Sequence, residues 1–196
     1  MTSELIPFGS AAYFLTLAAL LFARGMDFLS TWVATPTLAL EGNPVAKKLG
    51  WKLGAAVNIA MCIGFALWPL TAIIVITSGL LVAAHNFHSA WLMRTMGEEA
   101  YRQWFVERLA HTSLPFYFAC LLGETVLTGL VGGALVCFSP MESAPFAIGL
   151  GILIYALIVL FYTTLALVRM RRRFASEKAA PPLVNPQFQS DQTFPK

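Results

Sequence analysis

Arg24, Asp27 and Thr31 recur at about one-turn intervals inside a long apolar run, and Glu41, Asn43 and Pro44 follow just past its end. Ionised groups at membrane depth cost several kcal/mol unless they face a protein interior or a water-filled cavity. The stretch Arg24 to Pro44 is therefore the leading site candidate. Farther along, His85 and His88 stand three residues apart, which places them on one face of a helix. Two imidazoles with the carboxylates of Asp27 and Glu41 form a suitable oxygen and nitrogen set for a divalent metal. Such an ion polarises a carbonyl or phosphoryl group, or lowers the pKa of a bound water. On that reading Asp27, Glu41 and His85 are the catalytic candidates, and Asp27, Glu41, His85 and His88 the metal ligands. A structural reading stands beside it. Arg24 and Asp27 can neutralise one another, Thr31 can bond a backbone carbonyl, and the histidines can be hydrogen-bonded interface residues. Asn43, Asn58, Asn86 and Glu124 extend either version into a wider polar network.

Composition says where these groups must sit. Of 196 residues, 58% are hydrophobic and only 12% charged, whereas a soluble domain averages about 45–50% apolar and about 25% charged. The first apolar run is preceded by MTSELIP, which carries Glu4 and no Lys or Arg, unlike the positive n-region of a cleavable signal; the run is expected to be retained. Cys62, Cys120 and Cys137 are isolated in apolar runs with no metal-ligand spacing, so they read as small hydrophobes. His85 and His88 leave the same face and cannot be opposite axial ligands of one haem.

About 20 apolar residues cross about 30 Å of hydrocarbon. On that measure spans are expected at 11–34, 51–68, 70–92, 114–138 and 146–168. The 51–92 stretch must be two helices, because one helix of that length would reach roughly 60 Å; the break falls at Pro69. Residues 98–110 carry Tyr101, Trp104, Phe105 and Leu109 at helical spacing, the pattern of a helix lying along the membrane surface. Residues 175–196 are rich in Pro, Ser and Gln and are expected to be a disordered tail. Thr125, Gly129 and Gly133 form a small-residue stripe suited to close helix packing.

Orientation follows from the 13 Lys and Arg. Arg24 lies in a span; Lys47, Lys48 and Lys52 flank the first connection, and Arg94, Arg102 and Arg108 lie in the third. Arg169, Arg171, Arg172, Arg173, Lys178 and Lys196 follow the last span. None falls on the alternate side, so the positive-inside rule predicts the N-terminus out and the C-terminus in. The expected fold is all-α: an integral membrane bundle of five transmembrane helices at the inner (plasma) membrane, plus one interfacial helix. Arg169, Arg171, Arg172 and Arg173 then meet anionic lipid headgroups. A membrane-protein partner is compatible with this plan; nucleic acid is not expected.

The order Asp27-x-x-x-Thr31, a short loop, then Glu41-x-Asn43-Pro44 before a second span resembles a recurrent arrangement in small prokaryotic multi-pass membrane proteins of uncharacterised function. The resemblance covers about residues 20–60. It implies that these five residues act together and names no reaction. Three function classes remain: a metal-assisted enzyme acting on a lipid-linked or interfacial substrate, a small ion- or proton-coupled transporter, and a non-catalytic accessory subunit.

Overall fold

The computed structural model describes residues 5–179, with side chains to Arg169 apart from residue 110. Six helices follow one another: α1 (Ala11–Ala34), α2 (Pro44–Phe65), α3 (Pro69–Met96), α4 (Glu98–His111), α5 (Leu114–Phe138) and α6 (Ala144–Ala179). Among the described residues, four segments are long and apolar enough to cross a membrane: α1, α3, α5 and the Ala144–Arg169 part of α6. Their outward faces carry large apolar side chains such as Phe14, Phe22, Leu127 and Leu130. In lipid that exposure costs nothing, since hydrocarbon chains replace a protein partner.

Local chemistry sets the helix ends. The Ser10 side chain accepts the Tyr13 N–H at 3.1 Å and starts α1. Pro36 biases Thr35 away from helical geometry and ends it. Pro69 and Pro115 occupy first turns, where a missing N–H is harmless. Gly97, at φ 80°, closes α3. Ser113 precedes α5, and its side chain makes no capping bond.

Several boundaries differ from expectation, among them the end of α3, at Met96 rather than 92. The second helix begins at Pro44 rather than at residue 51, and it ends at Phe65 rather than 68. Asn43 Oδ1 accepts the N–H groups of Val45 (2.9 Å) and Ala46 (3.4 Å), so the Glu-Gly-Asn-Pro run is a built helix start. The helix is broken at Gly50 (φ 65°, ψ −174°), a backbone region that side chains strongly disfavour. The Arg169–Arg173 cluster does not stop the last helix, which continues to Ala179; a run of arginines is compatible with helical backbone. Residues 175–179 of the expected tail are thus helical, and 180–196 lie outside the described residues, as do the side chains of Arg171, Arg172 and Arg173.

Cross-helix pairs give the arrangement. Gly79 of α3 sits against Ala23 and Arg24 of α1, Asn86 bonds Ser30, and Arg94 lies over the Trp32 ring at 5.7 Å. Residue numbers rise together, so α1 and α3 run parallel. On α1 and α2 they oppose: Tyr13 donates to the Ile63 carbonyl, Arg24 to Asn58, and Phe28 meets Trp51. Hence α2 runs back along α1. Gly151 of α6 packs on Thr77 and Ile74 of α3, and Tyr155 faces His85 at 6.3 Å between ring centroids, so α6 is parallel to α3.

Gly132 of α5 meets Gly149 of α6. A Cβ on Gly132 would stand 2.9 Å from the Gly149 carbonyl oxygen, and one on Gly149 would stand 2.7 Å from that of Gly132. The expected stripe is therefore off by one position at its end. Gly129 does approach α6, at Leu153, but a Cβ on Gly133 would meet nothing within 4 Å.

One end of the α1–α2–α3 group is sealed by Tyr13, Leu20, Cys62, Ala66 and Ala72. Toward the other end a cavity separates α2 from its neighbours, bridged by the segment Thr35–Asn43. That strap is tied on every side. Thr37 donates its N–H to Glu98 at 2.9 Å and its hydroxyl to the same carboxylate. Trp51 Nε1–H donates to the Pro36 carbonyl at 2.9 Å, Lys47 to Ala39 at 3.0 Å, and Arg169 to Gly42 at 3.3 Å. Within the strap, Leu38 is buried with φ at 59°, a left-handed conformation costing on the order of 1 kcal/mol in a residue with a branched side chain. Burial of Glu98 works against its charge, but bonds from Thr37, Thr35 and Ala39 outweigh this and hold its carboxyl below the usual range.

Candidate functional site

The cavity has a volume of about 740 Å³, and every helix contributes to its wall. From α1 come Arg24, Asp27, Phe28 and Thr31; from the strap, Glu41 and Asn43; from α2, Trp51, Asn58 and Cys62. His85, Asn86 and Ser89 of α3, Tyr101 and Phe105 of α4, Tyr117 of α5 and Tyr162 of α6 complete its polar and aromatic lining. Ligand pockets typically run about 300–1,000 Å³ with a few placed polar groups on apolar walls. This cavity falls within that range.

Most of the polar network expected from sequence is assembled here. Arg24 Nη1 lies 3.0 Å from Asp27 Oδ2, and its Nε–H donates to Asn58 Oδ1 at 2.7 Å. Asn58 in turn donates to the Gly54 carbonyl at 2.9 Å, a bond within its own helix. The ion pair at i and i+3 is thus tied to a second helix. Asn86 donates to Ser30 Oγ at 3.3 Å, and Ser30, fully buried, donates to the Asp27 carbonyl at 2.8 Å. Thr31 faces the cavity and its carbonyl accepts the Thr35 N–H.

The proposed metal set is not assembled. Among the described residues, no three of His, Cys, Asp and Glu stand close enough to hold a metal ion. The reason is the rotation of α3: consecutive helical residues point about 100° apart. Asn86 is turned to α1, while His85 is turned toward α5 and α6. Its Nδ1 lies 3.5 Å from Glu124 Oε1, with Tyr155 alongside. Asp27 is instead paired with Arg24. His88 is exposed and does not line the cavity. Glu124 therefore finds a histidine, with both side chains well exposed (41% for His85 and 47% for Glu124).

Glu41 is the strap's contribution. Its Oε1 accepts the Asn43 N–H at 2.6 Å. Burial pushes its carboxyl above the usual range and the Asp27 charge adds to this, while the Asn43 N–H and Lys47 pull the other way without cancelling it. A folded-state value above the unfolded one means the folded chain holds the proton more tightly. Its contribution is full at pH below the ordinary carboxylate value and lost as pH rises through the folded-state value. Glu41→Gln keeps an acceptor for Asn43 and never ionises. Thermal melts in detergent should show the variant a few degrees more stable than the parent at pH 8, the difference closing toward pH 4. A gap independent of pH would contradict this. A residue that weakens the fold at neutral pH is characteristic of a site where binding, rather than stability, sets the chemistry.

No family model, curated protein or solved structure matches the chain. The site must be read from its own groups. It offers a carboxylate on a strap, a neutralised ion pair, amide and hydroxyl groups, and several aromatic rings. Trp51, Tyr101, Tyr117 and Tyr162 were not singled out from sequence as site residues. Aromatic residues at helical spacing look alike whether they meet lipid, protein or a cavity. The Thr37–Glu98 tie had no local signal, since its partners are 61 residues apart.

Proposed function

We propose that this chain is a multi-pass protein of the inner membrane that binds an amphiphilic ligand in the α1–α6 cavity, with the ligand's polar end at Asp27 and Glu41. The observation that carries it is one cavity of about 740 Å³ to which all six helices contribute, with polar groups on α1, the strap, α2 and α3 set among apolar and aromatic side chains. Residues Asp27, Thr31, Glu41, Asn43 and Pro44, the elements of the resemblance to small prokaryotic membrane proteins, act there as one unit. Pro44 and Asn43 start α2, which places Glu41 on the strap opposite α1. Native mass spectrometry of protein released from membranes should show a bound amphiphile. Val82→Trp, which fills the lining, should remove it. An identical bound mass in both proteins would sink the reading.

The same proposal takes α2 as a fifth crossing. Parallel α1 and α3 require the chain to return between them, and α2, 22 residues long, runs antiparallel along α1. Its three lysines lower its hydropathy, but Lys47, Lys48 and Lys52 gather at one end, where long stems reach the headgroups. The N-terminus is then outside, α4 lies at the inner interface, and Arg169 with Arg171, Arg172 and Arg173 meets anionic headgroups. With Cys62, Cys120 and Cys137 replaced, Ser143→Cys should react with an impermeant maleimide in intact cells. Lys48→Cys should react only after permeabilisation. Labelling of Lys48→Cys from outside would remove the fifth crossing.

A further inference from the structure

The charge balance of the cavity narrows the ligand's polar end, an inference that rests on the binding reading above. Three side chains of fixed charge type face the space: Arg24, Asp27 and Glu41. Arg24 is committed, with Asp27 at 3.0 Å and Asn58 at 2.7 Å. Lys47 and Arg169 approach the strap, but they donate to the Ala39 and Gly42 carbonyls and neither lines the cavity. His85 faces Glu124. Among the described residues, Glu41 accepts the Asn43 N–H, and the one cation lining the cavity with it, Arg24, is already committed to Asp27.

The same cavity is lined by the rings of Phe28, Trp51, Tyr101, Phe105, Tyr117 and Tyr162, drawn from five helices. Aromatic faces carry the negative part of the ring quadrupole and attract cations within about 6 Å, most strongly when desolvated. An anionic head would meet Glu41 and these faces together. A neutral head would leave the Glu41 charge only partly offset, by Lys47 and the Asn43 N–H, in a confined space, which is costly. A small hydrated metal ion finds no set of three suitable side chains among the described residues.

We propose that the cavity selects an organic cation: an ammonium or similarly charged centre on an apolar body, its charge balanced by Glu41 and its substituents held among the rings. Selectivity then comes from the sign of the ligand's charge, with shape secondary.

Two ions of nearly identical size and opposite charge give the test. The full-length protein in dodecyl maltoside would be titrated with tetraphenylphosphonium, with tetraphenylborate and with neutral triphenylphosphine oxide, using equilibrium dialysis. The expected result is saturable phosphonium binding at one per chain, at least about tenfold tighter than borate, or about 1.4 kcal/mol. Glu41→Gln should weaken phosphonium binding by about tenfold and narrow its preference over the phosphine oxide. Borate binding as well as phosphonium in the parent protein overturns the proposal without recourse to any variant. So does phosphonium binding that is indifferent to Glu41→Gln. If the phosphine oxide saturates and Val82→Trp blocks it while charge makes no difference, the cavity stands and the cation assignment falls. Saturation by none of the three removes both.

Discussion

Gly149→Leu should unfold or splay the α5–α6 pair, with a loss of about 3 kcal/mol or more relative to the parent. Overpacking by methylenes usually costs about 1–3 kcal/mol because neighbouring side chains can shift. Here the first obstacle is backbone. A Cβ at 149 would lie 2.7 Å from the Gly132 carbonyl oxygen and 2.8 Å from Leu135 Cβ, before the rest of the side chain is added. Relief requires moving a whole helix. Gly133→Ala, one residue beyond Gly132, supplies the control: nothing stands within 4 Å of its new Cβ. That change should be neutral or slightly stabilising, since alanine is favoured over glycine in a helix by about 1 kcal/mol. Folded fraction against sodium dodecyl sulfate mole fraction would read both. Equal effects of the two substitutions would show that α5 and α6 do not approach in this way.

Arg24→Met should be the most damaging change in the cavity wall, at roughly 2–4 kcal/mol. Breaking a buried pair by removing one partner typically costs about 3–5 kcal/mol, and the Arg24 side chain here is 29% exposed and Asp27 17%, which reduces the figure. The substitution leaves a carboxylate without its cation and Asn58 without a donor to its oxygen. Adding Asp27→Asn should recover most of the loss, because the orphaned charge is gone. Asp27→Asn alone should be milder than Arg24→Met, since Arg24 keeps Asn58 and its partial contact with solvent. Melting temperatures of the parent, the two single variants and the double variant complete a cycle. A double variant no better than Arg24→Met would mean that the pair is not the source of the damage.

How much of this was legible in advance differs element by element, for physical reasons. α1 was placed at 11–34 and α5 at 114–138, as the structure has them. In both, a hydroxyl residue precedes the run and the ends are marked by breaks in apolar character. α2 was misplaced by seven residues at its start because Lys47 and Lys48 were read as loop. A span search weighs hydropathy, and it cannot see that a capped, charged turn prefixes the apolar part. The Arg24–Asp27 pair followed from spacing alone, as i and i+3 partners meet on any helix. The fate of His85 did not: spacing puts it with His88, but the neighbours of α3 decide what it touches. Asn86, one residue on, bonds Ser30 of α1, a partner with no signal of its own among ordinary small residues. In the small-residue stripe, spacing by fours identified Gly133, and the crossing of α6 selected Gly132 instead.

The mutual approach of Gly132 and Gly149 has a mechanical corollary. Two backbones in direct contact leave no soft side-chain layer to deform, so α5 and α6 form the stiff part of the molecule. Gly151, seated on Thr77 and Ile74, extends that stiffness to α3. The compliant part is α2, broken at Gly50 and joined to the rest near its start by the strap. The slack of the fold therefore lies along α2, which packs only sparsely on α1 and α3.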